Sequence, residues 1–437
     1  MKSIHRMQRL FITLMVLFTA SFAFAQGSFE SQIDASVKAI EKKMIDWRRH
    51  LHANPELSNR EFKTMDFIVQ ELSVLGLPIE KGAAKTGVIA LLDTGKPGPV
   101  VGLRADIDAL PVKERVKIDF ASKVETEYEG KTVGVMHACG HDAHTAILLA
   151  TAHVMTKHKN LFTGKIVFVF QPAEEGAPVG EEGGAELLIK EGLIKKYGIQ
   201  TMFGLHISAS LSADVLQYKP EGVMAASDRL EIKVKGKQTH GSRPWAGVDP
   251  VVVGAQIIMG LQTIISRQSD LTKEAAVVTI AQINAGVRNN IIPEDLTMIG
   301  TIRTLNGDMR ASIHNKIHLT ATNIAESAGA TAEVIITPGY PITYNDPKLT
   351  AQMIGSLEKV AGEDKVRVTV ASTGAEDFAF YAKEVPSFFF FLGGRDPNTS
   401  MMDVAPHHTP DFYIDERGFG LGVRAFCQLV RDIGDRD

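Results

Sequence analysis

The sequence predicts a mixed α/β protein: a domain with a central mixed sheet covered by helices, interrupted by a smaller α+β domain of βαββαβ order. Three observations lead there. Three β-branched or aromatic runs, VVGLRADID (100–108), IVFVFQPAEE (166–175) and TMFGLHIS (201–208), each stop abruptly in acids or histidine. Helical apolar patterns alternate with them. And 437 residues exceed what one ordinary hydrophobic core supports, so a second domain is expected.

Taken in chain order, Lys2, His5, Arg6 and Arg9 precede the apolar run LFITLMVLFTASFAFA, which ends in small residues at Ala23 and Ala25 before Gln26. Residues 1–25 therefore read as a signal peptide, and export to the periplasm or the exterior is expected. No later segment reads as apolar enough to span a membrane. The stretches FKTMDFIVQELSVLG, DAHTAILLATAHVMTKH and GGAELLIKEG carry apolar residues three and four apart, the pattern of helices that cover a sheet. FFFFLGG (388–394) reads as a further buried strand. Between 222 and 338 the character changes. SDRLEIKVKGK alternates as a half-buried strand, PVVVGAQIIMGLQTIISR follows as a helix, and strand, strand, helix and strand come after it. The expected division is 26–221 and 339–437 for the main domain, with 222–338 inserted.

Composition narrows the partners. Forty-seven basic and 51 acidic residues leave a formal net charge of -4, and the basic residues are scattered. Nucleic acid and anionic membrane surfaces are thereby disfavoured, and a small molecule is expected. Two cysteines in an exported chain invite a disulfide between Cys139 and Cys427. Cys427, inside FGLGVRAFCQLV, reads instead as a small buried core residue. Cys139 stands between histidines and needs another account.

That account starts at HACGHD (137–142). Cys139 and His141 are two apart, so a loop can turn both toward one point, whereas a helix would splay them by about 200°. Thiolate and imidazole suit zinc or a similar divalent ion. The alternative is a reduced core cysteine beside a helix-capping Asp142. In QPAEE, adjacent Glu174 and Glu175 at the mouth of an apolar strand cannot both be buried without a cation or protons. One carboxylate can ligate while the other holds a water as general base. The alternative is a solvated acidic loop continuing to Glu181 and Glu182. His206, at the tip of its run, and the pair His407 and His408 in APHHTPDF add imidazoles. Asp106 and Asp108 add carboxylates, of which Asp108 suits the task of orienting a ligating histidine. If the strands form an open sheet, their armed tips meet in one crevice.

These motifs, with RRHLHANPELSNREFKT, THGSRPWAGVDP, NNIIPEDLTMIGTIRT and EDFAFY, occur in an order that resembles the amidohydrolase branch of the aminoacylase and carboxypeptidase metallopeptidases. Hippurate hydrolases, N-acyl-amino-acid amidohydrolases and auxin-conjugate hydrolases belong to that branch. The resemblance spans essentially the whole mature chain, and HACGHD with QPAEE is its most specific part. It implies a domain holding two divalent ions, zinc, manganese or cobalt, and a lid domain that in relatives often mediates dimerisation, so a homodimer is expected. Position by position, Cys139, His141, Glu175, His206 and His408 match the metal ligands and Glu174 the general base. His408 is preferred to His407 because it directly precedes the Thr-Pro pair. In the lid, His240 matches a histidine that reaches the neighbouring subunit's active site, and Asn290 a substrate-binding asparagine. The implied activity is hydrolysis of the amide of an N-acyl amino acid or related small amide. A dipeptidase or carboxypeptidase would use the same metals. A non-catalytic binding protein would have no need of Glu174. Departures from the pattern are ISASLSADV after His206, Trp245 where relatives often carry histidine, and Asp106 where the carboxypeptidase relatives have a metal-binding histidine. The roles of Arg303 and Glu376 stay open.

Overall fold

The computed structural model describes residues 27–435. The predicted signal peptide lies outside them. Its larger sheet has eight strands in the order Ile79–Ala83, Gly87–Asp93, Lys165–Gln171, Val100–Asp106, Thr201–Ser212, Ser387–Arg395, Leu216–Tyr218 and Val366–Val368. The four central strands from Lys165 to Arg395 in that order run parallel, while the first hairpin and the pair of 387–395 with 216–218 are antiparallel. The sheet is mixed, as the sequence predicts.

Alternation along the central strands explains why they read as unbroken apolar runs. Ile166, Phe168 and Phe170 pack with Phe388, Phe390 and Leu392 on one face, beneath the helices Phe29–Ala53, His141–Lys157, Pro347–Ala361 and Phe419–Gly434. Val167, Val169 and Phe389 point to the other face, against Leu188, Leu193, Phe378 and Tyr381. Both faces are covered, so the consecutive positions 166–170 and 388–392 are all apolar. Cys427 is fully buried in the first layer, and it and Cys139 are both free thiols.

The inserted segment forms a four-stranded antiparallel sheet, ordered Ala276–Ala285, Asp295–Thr304, Ala226–Lys235 and Thr331–Pro338. Helices Pro250–Gln268 and Gly307–Ser327 cover one face of it. The first of these is apolar and long enough to cross a membrane by length and composition alone, contrary to the expectation above. Val253, Ile257, Leu261 and Ile264 supply part of that hydropathy and are buried on the sheet, while Val251, Val252 and Met259 of the same helix are exposed. The chain enters and leaves this unit side by side: Glu221–Met224 pairs with Thr343–Asn345, and the Ser227 amide donates to the Tyr340 carbonyl at 3.0 Å.

Candidate metal centre and active site

The parallel strands deliver their ends to one place. Val100–Asp106 stops pairing with its neighbour at Arg104↔Gly204, so His206, two residues further on, lies past the last pair of the two strands. His206 is not itself at a strand tip as expected. Its strand runs on to Ser212 because Ser387–Arg395 continues to pair with it through Ser212. The loop before the helix His141–Lys157 is closed by Gly140 at φ 100°, where a Cβ would stand 2.4 Å from Ile207. Only glycine fits so close an approach in the left-handed region. His141 is already the first helical residue, and Cys139 alone remains in the loop.

These elements bring Cys139, His141, Glu175, His206 and His408 together. The sulfur of Cys139 lies 3.3 Å from His206 Nε2 and 3.3 Å from His408 Nε2. Glu175 Oε1 is 3.2 Å from His408 Nε2 and 3.9 Å from His141 Nε2. Glu174 Oε2 is 3.8 Å from the same His141 nitrogen. A cavity of about 510 Å³ opens on the cluster, lined by Cys139, Glu174, Glu175, His206 and His408, with Arg303 from the inserted domain.

Hydrogen bonds assign the imidazole roles. His141 Nδ1 donates to the Asp108 carbonyl at 2.9 Å, with the Asp108 carboxylate 3.2 Å away, leaving Nε2 bare toward the carboxylates. Asp108 is itself fixed by Ser58 and the Glu175 amide. His206 Nδ1 donates to the Ile207 carbonyl, which turns its Nε2 lone pair to the sulfur. His144, also in this cluster, has both nitrogens engaged: Nδ1 with Asp106 at 2.6 Å and Nε2 accepting from the Ile207 amide. His407 is engaged likewise, since Nε2 accepts from the Ala209 amide and Nδ1 then carries the proton toward the Cys139 sulfur, 3.7 Å away. A nitrogen that already holds a proton offers no lone pair, so His144 and His407 orient and His408 is free to ligate. In the sequence, the Thr-Pro pair directly after His408 is the local mark of the difference between the two neighbours.

The electrostatics call for a cation. Burial, then Glu376, Glu175 and Asp377, hold the Glu174 carboxyl well above the usual carboxylate range. Burial, then Glu175 and Glu174, push the Cys139 thiol well above its ordinary value. Burial lowers His141, but Asp106 and Asp108 outweigh it and bring it to about 10. The Nε2 atom of His141 and Oε1 of Glu175 are buried without a hydrogen bond. Mutually repelling acids, a thiol and bare imidazole nitrogens facing one another are the donor set of divalent metal ions, and the residues fit that role.

Beneath the cluster lies a network the sequence reading missed. Arg104, fully buried in its strand, donates to Asp106 at 2.6 Å, Glu376 at 2.9 Å, Asp377 at 2.8 Å and Gln171 at 2.9 Å. An arginine inside an apolar strand was the available signal, but its partners lie up to 273 residues away. Glu376 lines the cavity, with Oε2 buried and unbonded.

His240 and Asn290 are not brought to this cavity. They sit beside each other on a small exposed ribbon, Thr239–His240 paired with Ile291–Ile292, with Gly241 donating to the Asn290 carbonyl. Trp245, five residues after His240, is 81% exposed.

The fold and the donor cluster define a metal-dependent hydrolase of amide bonds. The chain belongs to the peptidase family M20/M25/M40, whose profile matches residues 102–432. It is 38% identical over 396 residues to thermostable carboxypeptidase 2 of Saccharolobus solfataricus, covering 90% of this chain and 96% of that one. It is 36% identical to an N-acetyl-L-cysteine deacetylase of Bacillus subtilis, covering 89% and 87%. The crystal structure of the Bacillus subtilis YXEP protein, a dinuclear metal-binding peptidase of family M20, superposes with a TM-score of 0.76 at 33% identity, covering 91% of this chain and 99% of that one. In this chain Cys139, Glu175 and His408, and likewise His141, Glu174 and Glu175, stand close enough together to hold a metal ion.

Proposed function

We propose that the chain hydrolyses N-acyl amino acids, with Cys139, His141, Glu175, His206 and His408 holding the two ions and Glu174 as general base. The observation that carries this is the pair of adjacent glutamates: Glu175 faces the His408 nitrogen at 3.2 Å, while Glu174 lines the cavity with its Oε2 3.8 Å from His141 Nε2. Bound divalent ions supply Lewis acidity, polarising the carbonyl and acidifying a water. Glu174 takes the proton of the attacking water on its carboxylate oxygen and returns it to the departing nitrogen. Arg303 supports the amino-acid half of the substrate. It lines the cavity, its Nε donates only to Thr301 Oγ1, and no carboxylate of the chain lies within ion-pair distance among the described residues. A guanidinium so placed suits a substrate carboxylate.

His240 and Asn290 then serve the site of a second copy, which makes the enzyme a homodimer through the inserted domain. Their exposure on a ribbon outside their own cavity supports this reading. Zinc, manganese and cobalt all suit one thiolate, imidazoles and carboxylates. Export is inferred from the basic and apolar residues 1–25.

A dipeptidase is the second reading, favoured by the likeness to a carboxypeptidase. A panel of N-acyl amino acids, their carboxamide counterparts and dipeptides, scored by release of free amine, decides. N-acyl amino acids cleaved well above both other classes is the expected result. Preference for dipeptides would install the second reading, and equal turnover of the carboxamides would remove Arg303 from the site.

A further inference from the structure

Tyr340 stands on the strand of chain that leaves the inserted domain, and its phenol reaches the catalytic loop. The hydroxyl donates to the Glu174 carbonyl at 2.7 Å, and the ring packs edge-on against Phe380 at 6.0 Å. Its other end is gripped by the inserted domain. The Tyr340 carbonyl accepts from the Ser227 amide, and the preceding Gly339 amide donates to Asp228 Oδ1 at 3.3 Å. Asp228 is a buried carboxylate clamped by Arg310 and by His314 at 2.7 Å, both on the helix Gly307–Ser327. Ser227, one residue before that aspartate, lines the same cavity as Glu174 and Tyr340.

The loop at the far end of this chain of contacts is one that needs holding. Ala173, immediately before Glu174, has φ 53°, a left-handed conformation that costs a non-glycine residue about 1 kcal/mol. A backbone so placed persists only where its surroundings fix it. The Ala173 amide is fixed by Glu61 at 2.8 Å from the main domain. For the Glu174 carbonyl, the fixing partner is the Tyr340 hydroxyl, from the hinge.

We propose that Tyr340 is a positioning residue that ties the placement of Glu174 to the hinge of the inserted domain, so that the clamp around Asp228 and the catalytic loop move as one unit. The inference rests on Glu174 being the general base. Any rotation of the inserted domain about residues 224–227 and 338–343 displaces the phenol, and with it the carbonyl it holds.

Tyr340→Phe keeps the ring and removes only the hydroxyl. Expected is a fall in kcat of about tenfold or more, with KM changed less, and with metal stoichiometry and denaturation midpoint as in the parent dimer. Arg310→Gln loosens the clamp from the other end and lowers kcat alone, but adds little in the Tyr340→Phe background, because both act through one contact. Parent kcat in Tyr340→Phe overturns the proposal, as does full additivity of the two changes, or a loss of metal that accounts for the lost activity. Glu174→Gln, assayed in parallel, separates the two levels. Parent turnover in that variant defeats the general-base reading, whereas an inactive Glu174→Gln beside a fully active Tyr340→Phe defeats only the role of Tyr340.

Discussion

Two histidines of this chain, His141 and His240, sit in opposite physical situations. His141 is fully buried, its Nδ1 tied to Asp108 and its Nε2 aimed at Glu174 and Glu175. His240 is exposed, and its Nδ1 accepts from the Ser242 amide and lies 2.8 Å from the Ser242 hydroxyl, two residues along. The first is set in place by a sheet whose strands end together, so one chain suffices to organise the ligands. The second is held on a two-residue ribbon that does not line the cavity at the donor cluster. Preorganisation by burial serves the metal-ligating cluster, whereas the lid residues, in the function proposed above, would depend on assembly or closure for theirs.

Breaking the two sides of this contrast should give effects of different size and kind. The largest is expected from Glu174→Ala, which lowers kcat by about 10²–10⁴-fold while the protein still binds its metal, checked by steady-state assay and elemental analysis. His141→Ala should reduce metal content and activity together, measured on the same samples. His240→Ala is expected to cost about 10²-fold in kcat with unchanged metal content and unchanged stability, since it removes an exposed side chain. Mixing it with Glu174→Ala chains sharpens the comparison. If His240 acts on the partner's site, two impaired preparations regain activity on exchange, because one of the two sites in each mixed dimer is complete; no recovery after proven exchange would place His240 in its own chain's site.

A smaller effect concerns stability of the inserted domain. Burial raises the Asp228 carboxyl, but Arg310 and His314 outweigh it and hold the group below the usual carboxylate range. A depressed folded value stabilises above the unfolded value, near pH 3.9, and that contribution disappears as pH falls through the folded value. Asp228→Asn should therefore cost about 2 kcal/mol at neutral pH by weakening the charge-assisted hydrogen bonds with Arg310 and His314. The gap from the parent should narrow below about pH 4, as followed by denaturant titration at each pH.

Much of the candidate metal centre was legible because its donor groups fall in short local patterns. HACGHD and QPAEE declare a thiol, an imidazole and paired acids within a few residues, and apolar runs ending in such groups declare strand ends. The βαββαβ order was legible from period alone, because that sheet is covered on one face and its strand Ala226–Lys235 alternates buried and part-exposed residues. What escaped was set by distant partners. His206 was expected at a tip, yet its strand extends because residues some 180 positions later pair with it. His407 and His408 are neighbours in sequence, yet the Ala209 amide occupies one ring nitrogen of the former while the latter faces Glu175 at 3.2 Å. Arg104, Glu376 and Asp377 form one buried unit that no window of sequence contains. The opening hairpin, Ile79–Ala83 with Gly87–Asp93, was also not read, since IEKGA carries no alternation and its register is set by pairing across the turn.

The central claim, that these side chains gather around a pair of cations which turnover requires, is tested most directly by metal titration of the chelator-stripped enzyme with activity followed in the same vessel. Two ions bound per chain, with amide hydrolysis absent before addition and restored as the sites fill, is the predicted result. Undiminished turnover after complete stripping, or fewer than two ions bound at full activity, would contradict it.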